Sequence, residues 1–248
     1  MIKGGKATMK VENIYKQKYV LTTNYYDPSN NIGVQGTLDL FQNIAARHAY
    51  LLGAGREHLE KINLVWVIAR TEIEYVTYPE TPLEVEVVTW PRPATRFYFD
   101  RYYKIVNPAT NEIIAYSRSR WVLIDIDSRK IVGADRYDYP LDFYYEEEPF
   151  NHTFPRPSVS DNVVGNYTVR PSDIDENGHL NNSKYGNIIY DYLDLQKGQK
   201  IKSIVINYNN EALQGETLTI SRSRDDAKVV ISGHKGDTIV FSSEVNIQ

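Results

Sequence analysis

The stretch DIDENGHLNNSKYGNIIYDYL, Asp173–Leu193, decides the fold. Asp175, Asn177 and His179 stand at alternate positions, and an amphipathic pattern follows. Over about 182–195, Tyr185, Ile188, Ile189, Tyr192 and Leu193 fall on one side of a helix. In extended backbone, side chains at i, i+2 and i+4 share a side. Gly178 permits a left-handed conformation just before His179. Asn181 or Asn182 can cap the helix. Three polar groups are thus expected beside a helix N-terminus, where N–H groups and the dipole favour negative charge.

Working outward, a second amphipathic helix is expected over about 37–52, with Leu38, Phe41, Ile44, Ala45, His48 and Leu52 near helical spacing and glycines at 53 and 55 as a stop. Strand-like runs follow each helix. After the first come NLVWVIARTEIEYV, LEVEVVTW, RFYFDRYYKIV, EIIAYSRSRWVLIDI and KIVGA, with NPATNE and DIDSRK as turns. After the second come IKSIVINYNNEA, ETLTISRSR, AKVVISGHK and DTIVFSSEVNI, with hairpin turns at Asp225-Asp226 and Lys235-Gly236-Asp237. Both halves therefore run strand, polar turn, helix, antiparallel strands. An offset of 146 residues lays Asp27 on Asp173, Asn31 on Asn177 and Val34 on Leu180. A curved sheet wrapped around a long helix, twice over, explains this order. Two such units can join edge strands into one sheet, which removes an aggregation-prone edge.

Composition narrows the function. Of 248 residues, 42% are hydrophobic and 24% charged, ordinary for a globular chain, and the 20 tyrosines suit half-buried strands. The net charge of −4 and the lack of a basic block give no reason to expect nucleic acid. With no cysteine, disulfides, thiolate metal sites and a cysteine nucleophile are excluded. The N-terminal sequence shows no signal peptide and no apolar run reaches membrane-spanning length, so a cytoplasmic location is expected. No metal or nucleotide motif is present, and no cofactor is expected. No G-x-S-x-G occurs to suggest a serine nucleophile.

Asp, Asn and Gly are also ordinary turn and cap residues. Under the offset of 146, however, Gly33 stands where His179 does and Ser29 where Asp175 does, so the polar set occupies one half only. His48 is expected to be a partly buried helix residue, and His58, His152 and His234 surface residues. Trp66 and Trp121 are expected in the core.

The motif DIDENGHLNNSKY resembles the D-x-D-x-N-x-H-V-N-N-x-K-Y segment of the acyl-acyl carrier protein thioesterases of plants and bacteria, with Leu180 for Val. NLVWVIARTEIEYVTYP and SRSRWVLIDIDSRKI are similar to first-half segments of that family. INYNNEA resembles its Y-R-R-E-C, with Asn209 and Asn210 for the arginines and Ala212 for Cys. The resemblance implies an α+β fold, a tandem (double) hotdog of two long helices each wrapped by a curved antiparallel β-sheet. It implies hydrolysis of a fatty acyl thioester, with Asp175, Asn177, His179 and Glu211 as catalytic positions. Halves are expected at 10–133, holding the acyl chain beside its helix and the Trp66 strand, and at 166–248, carrying catalysis, with 134–165 as linker. The implied partner is an acidic acyl carrier protein, for which Arg92, Arg96, Arg101, Arg118, Arg120, Arg129 and Lys130 are candidate contacts. A monomer or a homodimer is compatible with the doubling. An acyl-CoA thioesterase, a hotdog dehydratase and a non-catalytic acyl-binding double hotdog are the alternatives.

A thioester loses a thiolate, whose conjugate acid has a pKa of about 8.5, so the leaving group needs little acid help. The site must stabilise an oxyanion and deliver a nucleophile. Glu211 is the expected base for water, or the nucleophile itself. Asn177 and backbone N–H groups near His179 are the expected oxyanion donors, His179 orients the water or the glutamate, and Asp175 fixes His179 or Asn177.

Overall fold

The computed structural model describes residues 13–79, 83–137 and 147–248. Strand β1 (Tyr15–Leu21) leads through a 3-10 turn at Thr23–Tyr25 to the long helix α1 (Val34–Leu51) and the short α2 (Arg56–Glu60). Antiparallel strands β2 (Leu64–Tyr75), β3 (Leu83–Pro91), β4 (Phe99–Val106) and β5 (Ile113–Asp125) follow, and β6 (Ile131–Val132) folds back on β5. The second half repeats the order. It runs β7 (Val163–Thr168), a 3-10 turn at Pro171–Asp173, α3 (Lys184–Leu193), β8 (Ile201–Tyr208), β9 (Thr217–Asp225), β10 (Lys228–Lys235) and β11 (Thr238–Ile247).

All the strands join one sheet in the order β1-β3-β4-β5-β2-β8-β11-β10-β9-β7, with β6 beside β5. The two halves meet at β2 and β8, antiparallel, with Arg70 opposite Asn207 and Ile73 opposite Ile204. The fold is the expected α+β double hotdog, its two sheets fused at the seam. A register shift between Ile68 and Arg70 sets which side chains of β2 face inward. Beyond it, Ile73 and Tyr75 join the core while Arg70, Glu72 and Glu74 take the alternate side.

One apolar core serves both halves. Leu38, Phe41 and Ile44 of α1 and Tyr185, Ile188 and Ile189 of α3 share it with Val87, Ile105, Ile204, Ile220 and Phe241 from the sheet. Helices α1 and α3 touch near their N-termini. A Cβ on Gly186 would come within 2.7 Å of the Gln35 nitrogen, so the absent side chain is what permits the approach.

Helix bounds differ from expectation in instructive ways. Helix α1 begins at Val34, three residues before Thr37. Thr37 was the natural first residue by preference, but its hydroxyl bonds back to the Gly33 carbonyl at 3.0 Å and accepts from Tyr75 Oη at 3.0 Å, which satisfies it inside the helix. Helix α3 stops at Leu193, two residues short of the expected end, because Asp194 turns left-handed at φ 57°. The short α2 adds a turn beyond the expected helices, and its Leu59 is fully buried. The connection also ends earlier than 165, since β7 pairs with β9 from Val163.

The part of the connection described, from residue 147, is strapped to the outer face of the sheet. Arg118 Nε pairs with Glu72 Oε2 at 2.6 Å, both nearly buried. Its other nitrogens donate to the carbonyls of His152 and Thr153, and its guanidinium lies 4.6 and 4.4 Å from the ring centres of Phe150 and Phe154. Glu72, Glu74 and His152 bring three ligand atoms within 4.8 Å of one another here. The Glu72 oxygens are taken by Arg118 and by His152 Nε2 at 3.0 Å, so protein groups already compensate the buried charge.

Candidate active site

The turn 173–183 is shaped by hydrogen bonds that its sequence dictates. Asp175 Oδ1 accepts the N–H groups of Asn177, at 2.8 Å, and His179, at 3.2 Å. The Asp175 N–H reaches the His179 carbonyl and the Gly178 N–H reaches the Asp175 carbonyl. Gly178 supplies the left-handed corner at φ 82°. The first half contains the same turn. Asp27 Oδ1 accepts the N–H groups of Ser29 and Asn31, both at 2.9 Å, and Asn30 takes the left-handed corner at φ 63°.

This geometry corrects the repeat. The structural partner of Asp175 is Asp27, so the offset is 148 residues rather than 146. Asp175 is therefore not confined to one half. It is the turn-former in both, and it acts on His179 through the backbone rather than by setting the ring tautomer. In the polar set, Asn177 stands in place of Ser29 and His179 in place of Asn31.

Glu211 reaches the turn by strand pairing. His179 bridges to Leu213, and the Leu180 N–H donates to the Ala212 carbonyl at 2.8 Å. That register brings the Glu211 side chain against the imidazole: His179 Nε2 lies 2.8 Å from Glu211 Oε2. Both side chains are partly exposed, at 33% and 44%, so water reaches them. Arg129 holds the other Glu211 oxygen. Leu213 is fixed in turn by Glu216, whose carboxyl the Leu213 N–H and Lys235 hold below the usual carboxylate range. Ala212, where the resembling motif has Cys, is fully buried in the core. Asn177 is exposed in the same turn, and only its backbone N–H is engaged among the described residues.

The expected backbone oxyanion donors need correction. The N–H groups of residues 177 to 181 all have acceptors in the protein, as do those of Ser183 and Lys184, which bond to Asn181. Asn181, not Asn182, does the local capping: its Oδ1 takes both the N–H and the hydroxyl of Ser183. Among the described residues, the Asn182 N–H is the one in this run without an acceptor.

A narrow cavity of about 30 Å³ lies between α1 and the first-half sheet. Leu38, Phe41, Ile68, Tyr103 and Trp121 line it, and Asn182 and Tyr208 contribute from the second half. The Tyr208 hydroxyl donates to the Asn182 carbonyl at 3.3 Å, and burial pushes that phenol's pKa up. The cleft is not purely apolar, since Ser117 and Ser119 also line it. The Ser119 hydroxyl is tied to Tyr103 at 2.8 Å and to Trp121 Nε1 at 2.7 Å. Trp66 does not line it and packs edge-on to Phe99 in the separate cluster with Leu59 and Leu123.

The other histidines are placed elsewhere. His48 is fully buried, not partly, with Arg101 Nη1 at 3.0 Å from its Nδ1. His58 and His152 are exposed, and His234 bonds Ser232 at 3.1 Å. Of the candidate docking cations, Arg101 and Arg118 are buried and cannot meet a partner. Arg120 is bound to both oxygens of Asp100 and Arg92 is paired with Glu148. Arg96, Arg129 and Lys130 remain exposed.

A double hotdog with an imidazole–carboxylate pair beside a helix N-terminus and a cleft under the other helix defines a thioester-processing hotdog. The chain belongs to the acyl-ACP thioesterase family: residues 12–135 match the acyl-ACP thioesterase N-terminal domain and 157–245 the C-terminal domain. It is 25% identical to oleoyl-acyl carrier protein thioesterase 2, chloroplastic, of Arabidopsis thaliana, over 94% of this chain and 70% of that protein. It is also 25% identical to the palmitoyl-acyl carrier protein thioesterase of the same plant, over 83% of this chain and 54% of that one. The chain thus spans between about half and 70% of these relatives' lengths. Among solved structures, an acyl-ACP thioesterase from Bacteroides thetaiotaomicron superposes with a TM-score of 0.87 at 25% identity, covering 95% of this chain and 98% of that one. The 12:0-ACP thioesterase of Umbellularia californica shares the fold, with a TM-score of 0.79 at 18% identity over 96% of this chain and 98% of that one.

Proposed function

We propose that the protein hydrolyses fatty acyl thioesters of acyl carrier protein to free fatty acid and carrier thiol, with Glu211 as the base that activates water. The observation that carries this assignment is the 2.8 Å contact between His179 Nε2 and Glu211 Oε2, at a turn whose next residues open on the cleft. Water attacks the carbonyl carbon and gives its proton to the Glu211–His179 pair. The tetrahedral oxyanion is met by the Asn182 N–H and the Asn177 side-chain amide. The C–S bond then breaks, and the thiolate leaves and takes up the proton. Catalysis by a cysteine is excluded, because the chain has none.

The first half holds the acyl chain and the second half performs the chemistry. A cavity of about 30 Å³ has room for roughly one water, so the lining side chains must shift to admit an acyl group. The acidic carrier is expected to meet Arg96 and Lys130 of the first half, since Arg129 is turned onto Glu211. An open surface cavity of about 420 Å³, lined by Arg96, Phe97, Asp135 and Arg136, adjoins the strand that follows Arg129 and Lys130. Incubation with a panel of acyl-ACP and matching acyl-CoA thioesters, with products identified by mass, tests this assignment. Release of free acid from acyl-ACP at a kcat/KM well above that for acyl-CoA is the expected result. Tight acyl binding without release would refute it.

A further inference from the structure

Glu211 belongs to the second half, yet one of its oxygens is gripped from the first. Arg129 Nη2 donates to Oε1 while Oε2 faces His179 Nε2. The two partners are 82 residues apart in sequence. Arg129 is no loose surface cation. It sits in a left-handed conformation, φ 56°, in the turn between β5 and β6. Its N–H donates to the Asp125 carbonyl at 2.9 Å. Asp125 Oδ1 accepts the Ser128 N–H and hydroxyl at 2.9 and 2.8 Å, and these bonds hold the Asp125 carboxyl below its usual range. Asn63 Nδ2 bridges Asp125 and Asp127, and the Asn63 carbonyl accepts the Ile126 N–H. A second pair crosses between the halves nearby. Arg56 Nη1 meets Glu176 Oε1, in the His179 turn, at 2.7 Å, while its Nε holds Glu60 at 2.5 Å. Each arm of the site, turn and carboxylate, is thus anchored to the first half.

We propose that Arg129 is a positioning residue for Glu211. By fixing Oε1 it determines which oxygen faces His179 and where the remaining lone pairs point for water. The proposal rests on the role given to Glu211 above. An ion pair with side chains 67% and 44% exposed adds little to stability, so its worth lies in orientation rather than in holding the fold. A half-exposed glutamate without the clamp samples several rotamers, and misplacing a catalytic group by about 1 Å can cost on the order of a hundredfold in rate.

The test compares Arg129→Asn and Arg129→Lys with the parent, and Arg129→Asn with its double variant carrying Glu211→Gln. Asn tolerates the left-handed backbone at this turn. Two substrates are used: an acyl-ACP and the same acyl group on N-acetylcysteamine, which lacks the carrier. Arg129→Asn is expected to lower kcat about tenfold or more on both substrates with KM within about twofold, and Arg129→Lys to recover most of the loss. In the Glu211→Gln background, Arg129→Asn should cost less than about twofold more. Unchanged kcat overturns the proposal. So does a loss confined to KM for acyl-ACP, which would make Arg129 a carrier contact, and so does a full additional loss in the Glu211→Gln background. Normal turnover by Glu211→Gln alone instead removes the role of Glu211 itself, and this proposal with it.

Discussion

Replacing Arg118 by Ala separates its structural role from carrier docking. Its side chain and that of Glu72 are 6% and 4% exposed, with Nε and Oε2 2.6 Å apart. The substitution leaves the Glu72 carboxylate buried with His152 as its remaining partner at 3.0 Å. It also strips donors from the His152 and Thr153 carbonyls and the cation from between Phe150 and Phe154. Breaking one side of a buried ion pair costs about 3–5 kcal/mol. At about 2–4 °C per kcal/mol for a chain of this size, Tm should fall on the order of 10 °C. Calorimetry measures it. The double variant Arg118→Met with Glu72→Met, which removes both charges and keeps the bulk, should recover most of the loss. At a temperature where the single variant stays folded, its KM for acyl-ACP should match the parent, since a buried side chain cannot touch the carrier. A Tm within about 2 °C of the parent would refute the burial argument. A severalfold rise in KM with kcat intact would return Arg118 to the docking surface.

Further consequences follow from the site. Asp175→Ala removes the acceptor for two turn N–H groups and should destabilise by about 1–3 kcal/mol while lowering kcat; Asp27→Ala should destabilise similarly with kcat intact, which paired melts and kinetics would show. Trp121→Ala opens the cleft and should shift released fatty acids toward longer chains, with about a fourfold gain in kcat/KM per methylene newly buried, read by chromatography of the products. Glu216 has a depressed folded pKa, so its contribution is complete above the ordinary value of 4.5 and is lost as pH falls below that. The Tm gap between the parent and Glu216→Gln should therefore narrow on acidification, and a gap that widens would contradict the assigned bonds.

The fold was legible because both of its periods are strong. Strand alternation located the long strands, with hairpin corners at Asp226 and Gly236 where left-handed backbone was needed. The pairing of Glu211 with His179 was legible only through the resemblance. Spacing alone does not show that residues 179–180 pair with 212–213. The repeat offset was illegible for a physical reason: aligning letters matches Asp27 with Asp173, whereas hydrogen bonds match it with Asp175. The Leu180 N–H bond to Ala212, the Arg129 clamp and the Glu72–Arg118 pair depend on tertiary register, which no local pattern encodes. Arg118 looked like a surface cation because strand alternation does not say which outer face a returning segment covers; Arg101 instead faces the helix, where its guanidinium meets His48 of α1 and Thr89.

The most direct measurement is single-turnover hydrolysis of an acyl-ACP by Glu211→Gln beside the parent, with circular dichroism confirming that both are folded. Gln keeps the shape and can accept a hydrogen bond from His179 but cannot take a proton from water. Loss of roughly 10²–10⁴-fold in the chemical step, with acyl-ACP affinity retained, is the predicted result. A folded variant that releases fatty acid at the parent's rate would contradict the assignment of Glu211 as the base.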